Sequence, residues 1–172
     1  MFENITKLIK YPWSGDFFNR ISKASAEIQI PESVTTDIKT GAFMMMVTYA
    51  LNFVVPVMRF FRFGASSYYV ADTFGILLTG IFTCAVGGAI MYLVINYFTG
   101  DKVRKPMPYF ILFILAGLSI LSSLYSLSSA IRFLSWNPIA GLVSFVAVAV
   151  QVLGLINIAV GCIDFCLASN PE

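Results

Sequence analysis

The sequence predicts an all-α, polytopic integral membrane protein, with four transmembrane helices preceded by an amphipathic cytoplasmic helical head. Two observations carry this. Four long apolar blocks, at about 41–63, 72–98, 107–130 and 138–168, dominate the 172 residues. Each meets the need for roughly 20 residues to cross a hydrocarbon core about 30 Å thick. No Lys, Arg, Asp or Glu lies in the middle of any block. A helix satisfies its own backbone hydrogen bonds, so each block reads as a span.

Composition agrees and excludes other classes. Hydrophobic residues make up 58% and charged residues 12%, with a mean hydropathy of +0.83, values that fit a membrane protein and not a water-soluble domain. A net charge of +2 without a large basic cluster gives no grip on a phosphate backbone, so nucleic acid is not an expected partner. The absence of histidine removes the most common metal ligand and general base together. Cys84, Cys162 and Cys166 read as small packing residues. The last two share a helix face, but two thiols without further ligands make a poor zinc site. With no nucleophile–base pair and no Gly-rich phosphate loop, neither enzyme chemistry nor a cofactor is expected.

Residues 1–40 read as the head. Phe2, Ile5, Leu8 and Ile9 recur at helical spacing opposite Glu3, Lys7 and Lys10, and Tyr11-Pro12-Trp13-Ser14-Gly15 is a turn. Ser14 or Asp16 then caps a helix predicted over 14–29, with Phe17, Ile21, Ala24 and Ile28 opposite Arg20, Lys23 and Glu27. Trp13, Phe17, Arg20, Ile21 and Lys23 suit a helix lying in the headgroup layer; packing on the protein's own loops is the plainer alternative. Lys7 and Lys10 are not followed by an apolar signal-peptide core, so the first span is expected to act as its own insertion signal. Residues 169–172 are a short tail.

The spans of the 41–168 domain have readable ends. Pro56 sits in the last turns of the first, where a kink is expected, and Arg59 and Arg62 can pair with Asp72 across the short connection. Pro106 and Pro108 open the third span. Trp136-Asn137-Pro138 opens the fourth, with Asn137 as the cap and Pro138 at the first helical position. Lys7, Lys10, Arg20, Lys23 and Lys39 in the head, with Lys102, Arg104 and Lys105 in the middle loop, face only Arg59, Arg62 and Arg132 on the other side. That asymmetry predicts cytoplasmic amino and carboxyl termini and a cytoplasmic middle loop, in a plasma or inner membrane if the source is prokaryotic.

Small residues suggest where helices meet. Gly80, Cys84 and Gly88 recur every four residues in the second span, beside Thr79, Thr83 and Gly87; Ala116, Ser119, Ser123, Ser126 and Ala130 make a seam in the third. Both rows permit close approach, within the bundle or to a second protein. Asn52, Asn96, Gln151 and Asn157 can add interhelical hydrogen bonds of about 1 kcal/mol each.

The stretch Trp136-Asn137-Pro138-Ile139-Ala140-Gly141, followed by Val150-Gln151-Val152-Leu153-Gly154-Leu155, resembles the Trp-x-Pro-Ile-x-Gly turn and Val-x-Gly-Leu segment of the Yip-domain family of small polytopic membrane proteins, in its archaeal and bacterial form. Pro12 with Phe17-Phe18-Asn19-Arg20-Ile21, and Phe98-Thr99-Gly100-Asp101-Lys102, are similar to its opening and its middle loop. Family members usually have five spans, against four here, and Gln151 stands where an acid is common. The resemblance implies a non-catalytic membrane protein; a trafficking role would rest on fold analogy alone. The function expected is a membrane organiser or adaptor acting through helix–helix and cytoplasmic contacts. The alternatives are an accessory subunit of a larger membrane complex and a small transporter or channel lined by Asn52, Asn96, Ser119, Ser123, Gln151 and Asn157. The expected partners are the lipid bilayer and other membrane proteins, as a homo- or hetero-oligomer.

Overall fold

The computed structural model of the chain describes residues 27–63 and 70–168, together with Thr6. Four helices carry the fold: α1 (Glu32–Phe63), α2 (Val70–Thr99), α3 (Pro106–Trp136) and α4 (Pro138–Ala168). Each holds a segment long and apolar enough to cross a membrane. Two short strands, β1 (Ile28–Gln29) and β2 (Val103–Arg104), pair antiparallel, Ile28 opposite Arg104 and Gln29 opposite Val103.

Capping explains the helix starts. Asn137 Oδ1 accepts the Ala140 N–H at 3.3 Å and its carbonyl accepts the Gly141 N–H at 2.8 Å, so α4 begins at Pro138 as the sequence predicts. Pro106 opens α3, which runs on to Trp136, beyond the predicted end at 130. The first helix differs more. It starts at Glu32, immediately after Pro31, whose carbonyl accepts the Thr35 N–H at 3.2 Å. Residues 32–40, assigned to the head, are therefore its opening turns. Their charges hide an apolar stripe, because Val34 and Ile38 are fully buried. The helix expected over 14–29 lies outside the described residues as far as position 26, as do Trp13, Phe17, Arg20, Ile21 and Lys23. Its end is corrected: Ile28 and Gln29 are strand β1. The side chains of Arg59, Arg62 and Asp72 also lie outside the description.

α1 and α4 form the centre, with α2 packed on α1 and α3 on α4. The α1–α4 contact runs backbone to backbone. A Cβ on Gly41 would lie 2.5 Å from the Gly154 carbonyl oxygen, and one on Gly154 would lie 2.8 Å from the Gly41 carbonyl oxygen. Further along, a Cβ on Gly161 would meet Ile38 at 3.0 Å. The buried positions on α1 include Val34, Ile38, Gly41, Met45, Thr48 and Val55, with Ala42 beside Gly41. Those on α4 include Ala140, Ala147, Gly154, Ile158, Gly161 and Phe165. Both sets follow the four-and-three spacing of antiparallel knobs-into-holes packing. On α3 the buried row is Tyr109, Ala116, Ser123 and Ala130, each seven residues from the last.

This geometry predicts opposite outcomes for one substitution at two glycines. Gly41→Ala forces a methyl onto backbone atoms that cannot rotate away and should cost about 1–3 kcal/mol. Gly75→Ala meets nothing within 4 Å and should be neutral, or gain up to about 1 kcal/mol through helix propensity. Unfolding titrations in mixed micelles measure both; equal effects would mean that the helices do not approach at Gly41.

Candidate functional site

The best-organised surface lies where the two strands join the ends of the helices. Ile30 N–H donates to the Lys102 carbonyl at 2.9 Å, extending the β1–β2 pairing. The segment before α1 is thereby tied to the loop between α2 and α3. The signal for β1 was the alternation Ile28-Gln29-Ile30 ending at Pro31, since the residue before a proline favours extended backbone.

Beneath the strands, aromatic rings join three helices. Tyr109, fully buried at the start of α3, donates its hydroxyl to the Phe98 carbonyl at 2.6 Å. That carbonyl belongs to the last turn of α2, where no intrahelical donor is available. The Tyr109 ring packs edge-on to Phe98 at 4.9 Å and lies 4.0 Å from Phe165 of α4, centroid to centroid. The Cys166 thiol lies 4.0 Å from the Pro106 carbonyl oxygen, and Cys162 is buried in the same core.

The three cations expected in this loop have different surroundings. Arg104 pairs with Asp101 and sits 4.5 Å over the Tyr97 ring, while its Nε–H, buried, has no acceptor among the described residues. Lys102 and Lys105 are exposed. Asp101 thus offsets Arg104, leaving the two lysines as the loop's outward positive charge.

The small-residue rows fall differently from their expected places. On α2, a Cβ on Gly80 would meet Pro56 at 3.0 Å and Phe53 at 3.2 Å, and one on Gly87 would meet the Tyr49 ring at 2.7 Å. Cys84 is half-buried, and a Cβ on Gly88 would meet nothing within 4 Å. Gly88 therefore lies off the α1 contact. A row of four-residue steps turns about 40° per step around a helix, whereas a seven-residue step drifts only about 20°. Gly87 stays on the face that Gly80 begins, and Gly88 rotates away. On α3, Ser123 is buried but donates to the Ser119 carbonyl of its own helix at 2.8 Å; Ser119 and Ser126 are half-buried. The contacts that sequence reasoning missed are Gly41, Gly154 and Gly161, seen only as isolated glycines or as part of a motif.

The polar residues considered for a transport path are not brought together. Asn157 sits in the α1–α4 seam, donating to the Leu153 carbonyl at 2.9 Å and to Met44 Sδ at 3.6 Å. Asn96 is exposed on α2, and Asn52 lines a separate groove of about 710 Å³ between α1 and α2, beside Tyr49, Thr79 and Thr83. Comparison with protein-family models, curated proteins and solved structures finds no match to this chain.

Tyr109 predicts a measurable link between the helices and the strands. Tyr109→Phe keeps the ring and removes only the donor to Phe98, costing about 1–2 kcal/mol. Hydrogen-exchange protection at the Ile30 amide should fall about five- to thirty-fold if the strands depend on that bond. Unchanged protection would separate the strand pair from the aromatic contacts.

Proposed function

We propose that the chain is an integral membrane protein whose four helices cross the bilayer, with both termini and the 100–105 loop in the cytoplasm. It acts without catalysis, as an organiser or adaptor that holds other membrane proteins through lateral helix contacts and its cytoplasmic face. The Yip-domain resemblance is in keeping with this reading.

The observation that carries it is the side chain of Asn52. It is exposed in the α1–α2 groove and makes no hydrogen bond among the described residues, although it lies about 9 Å inside the end of the apolar segment Glu32–Met58. Pro56, lacking an N–H, also cannot donate to the Asn52 backbone carbonyl. Lipid offers these groups no partner, and a transmembrane helix of another protein does. The groove suits such a helix, since Gly75 is open and the Thr79 and Thr83 hydroxyls donate to their own helix at 2.8 Å, leaving only acceptor lone pairs outward. A permanent place in a larger complex is the second reading, favoured by the same groove and by the packing of α2 mainly on α1.

Two measurements test this. A cysteine probe at Ser66 should react with an impermeant reagent from outside, and one at Asp101 should not; labelling at Asp101 would invert the orientation. Asn52→Leu should reduce the membrane protein that co-purifies in mild detergent by about five-fold, for one lost interhelical hydrogen bond, with stability unchanged. A stoichiometric partner marks a complex subunit and a sub-stoichiometric one an adaptor. A chain that purifies alone, with or without Asn52, would end the lateral-contact reading.

A further inference from the structure

We infer that the groove between the end of α2 and the start of α3 is a binding site for one anionic phospholipid, with Lys105 holding the phosphate and the groove holding an acyl chain. This rests on the membrane reading above.

The groove measures about 590 Å³ and is lined by Tyr97, Phe98, Met107, Ile111, Leu112 and Leu115, with Lys105 at its mouth. Phe98, which lines the groove, is held edge-on against the buried Tyr109 ring, centroids 4.9 Å apart. Leu115 lies ten residues beyond Lys105 in sequence, a rise of about 15 Å along a helix, which is half of a hydrocarbon core about 30 Å thick. The slot therefore has the depth of one leaflet, and its only charged lining residue sits where headgroups lie.

The charges complete the match. Lys105 is exposed and has no ion pair among the described residues, because Asp101, the acid of this loop, is committed to Arg104. Lys102 is exposed three residues away, and the β1–β2 pairing with the Ile30–Lys102 bond fixes the loop that carries both. A zwitterionic headgroup would bring its own cation against these lysines; an anionic one brings none. Basic pockets between helices on the cytoplasmic side take anionic headgroups for this reason. An acidic protein segment could use the lysines but has no use for an acyl-length apolar slot.

The test uses the full chain purified in detergent, mixed with phosphatidylglycerol or phosphatidylcholine, and read by native mass spectrometry as retained lipid. One phosphatidylglycerol should be retained about five-fold over phosphatidylcholine. Lys105→Gln should remove that preference. Ile111→Trp, at an exposed wall position, should lower retention of both lipids by filling the slot, and Lys39→Gln on α1 should change neither. Equal retention of the two lipids by the unmodified chain would overturn the site. So would an unchanged preference in Lys105→Gln, or displacement of the lipid by soluble glycerol phosphate at equal concentration. Alkaline carbonate extraction of cell membranes keeps the two proposals apart. Release of the chain into the supernatant overturns the membrane reading, whereas a retained chain with no lipid preference overturns the lipid site alone.

Discussion

The backbone contact between Gly41 and Gly154 is the constraint on which the other helix positions depend. Neither residue has a side chain to hold the helices apart, and each faces the carbonyl oxygen of the other. Helices in lipid gain little from removing apolar area from their surroundings, because the surroundings are apolar too. Dispersion between closely packed surfaces has to supply that attraction, and it falls steeply with small gaps. Once α1 and α4 meet this closely, Ile38 can close over Gly161 and Thr48 can approach Ala147, whose carbonyl lies 3.4 Å from the threonine hydroxyl. α2 and α3 then have one central helix each to pack on, and their outer faces carry exposed residues such as Phe82, Leu93, Leu118 and Leu121. Such faces are a liability in water and unremarkable in a bilayer.

The strand pair solves a separate problem at one end of the bundle. α2 and α3 pack on different helices, so the loop joining them would otherwise cross the end of the bundle unsupported. Three local devices finish α2: the Gly100 N–H donates to the Asn96 carbonyl at 3.0 Å, the Thr99 hydroxyl to the Ile95 carbonyl at 2.7 Å, and Tyr109 to Phe98. The chain then has two extended residues free to pair with the approach to α1. Lys102 and Lys105 owe their positions to this sequence of hydrogen bonds, which no helical periodicity encodes.

Legibility in the sequence followed the range of the interaction. The start of α4 was readable because Asn137 and Pro138 act within one turn. The start of α1 was hidden because Glu32, Asp37 and Lys39 make its first turns look like head, while Val34 and Ile38 find their apolar partner on α4, more than a hundred residues away. Gly80 was placed on a packing row by its spacing, but choosing between Gly87 and Gly88 required knowing how the helix drifts against α1. Gly41 is a lone glycine in its helix, and nothing local marks it as a point of close backbone contact with α4. The loop cations were identifiable by charge, whereas the pairing of Arg104 with Asp101 and its place over Tyr97 came only with the fold.

The polar groups of the four helices divide into those satisfied within their own helix and those that are not. Thr48, Thr79, Thr83, Thr99, Ser123 and Asn157 all donate to carbonyls in the preceding turn of their own helices. These bonds satisfy a hydroxyl or amide without a neighbour, so they add little to the specificity of helix pairing. The central pair is accordingly specified mainly by shape, through its glycines, with Thr48–Ala147 and Asn157–Met44 as minor polar contacts. Asn52 breaks the pattern: it makes no such bond among the described residues and stands on the open side of the α1–α2 groove. The seam between α1 and α4 is thus held mainly by shape, and under the proposed function the unspent amide in the exposed groove is what leaves the flank built with α2 for external recognition.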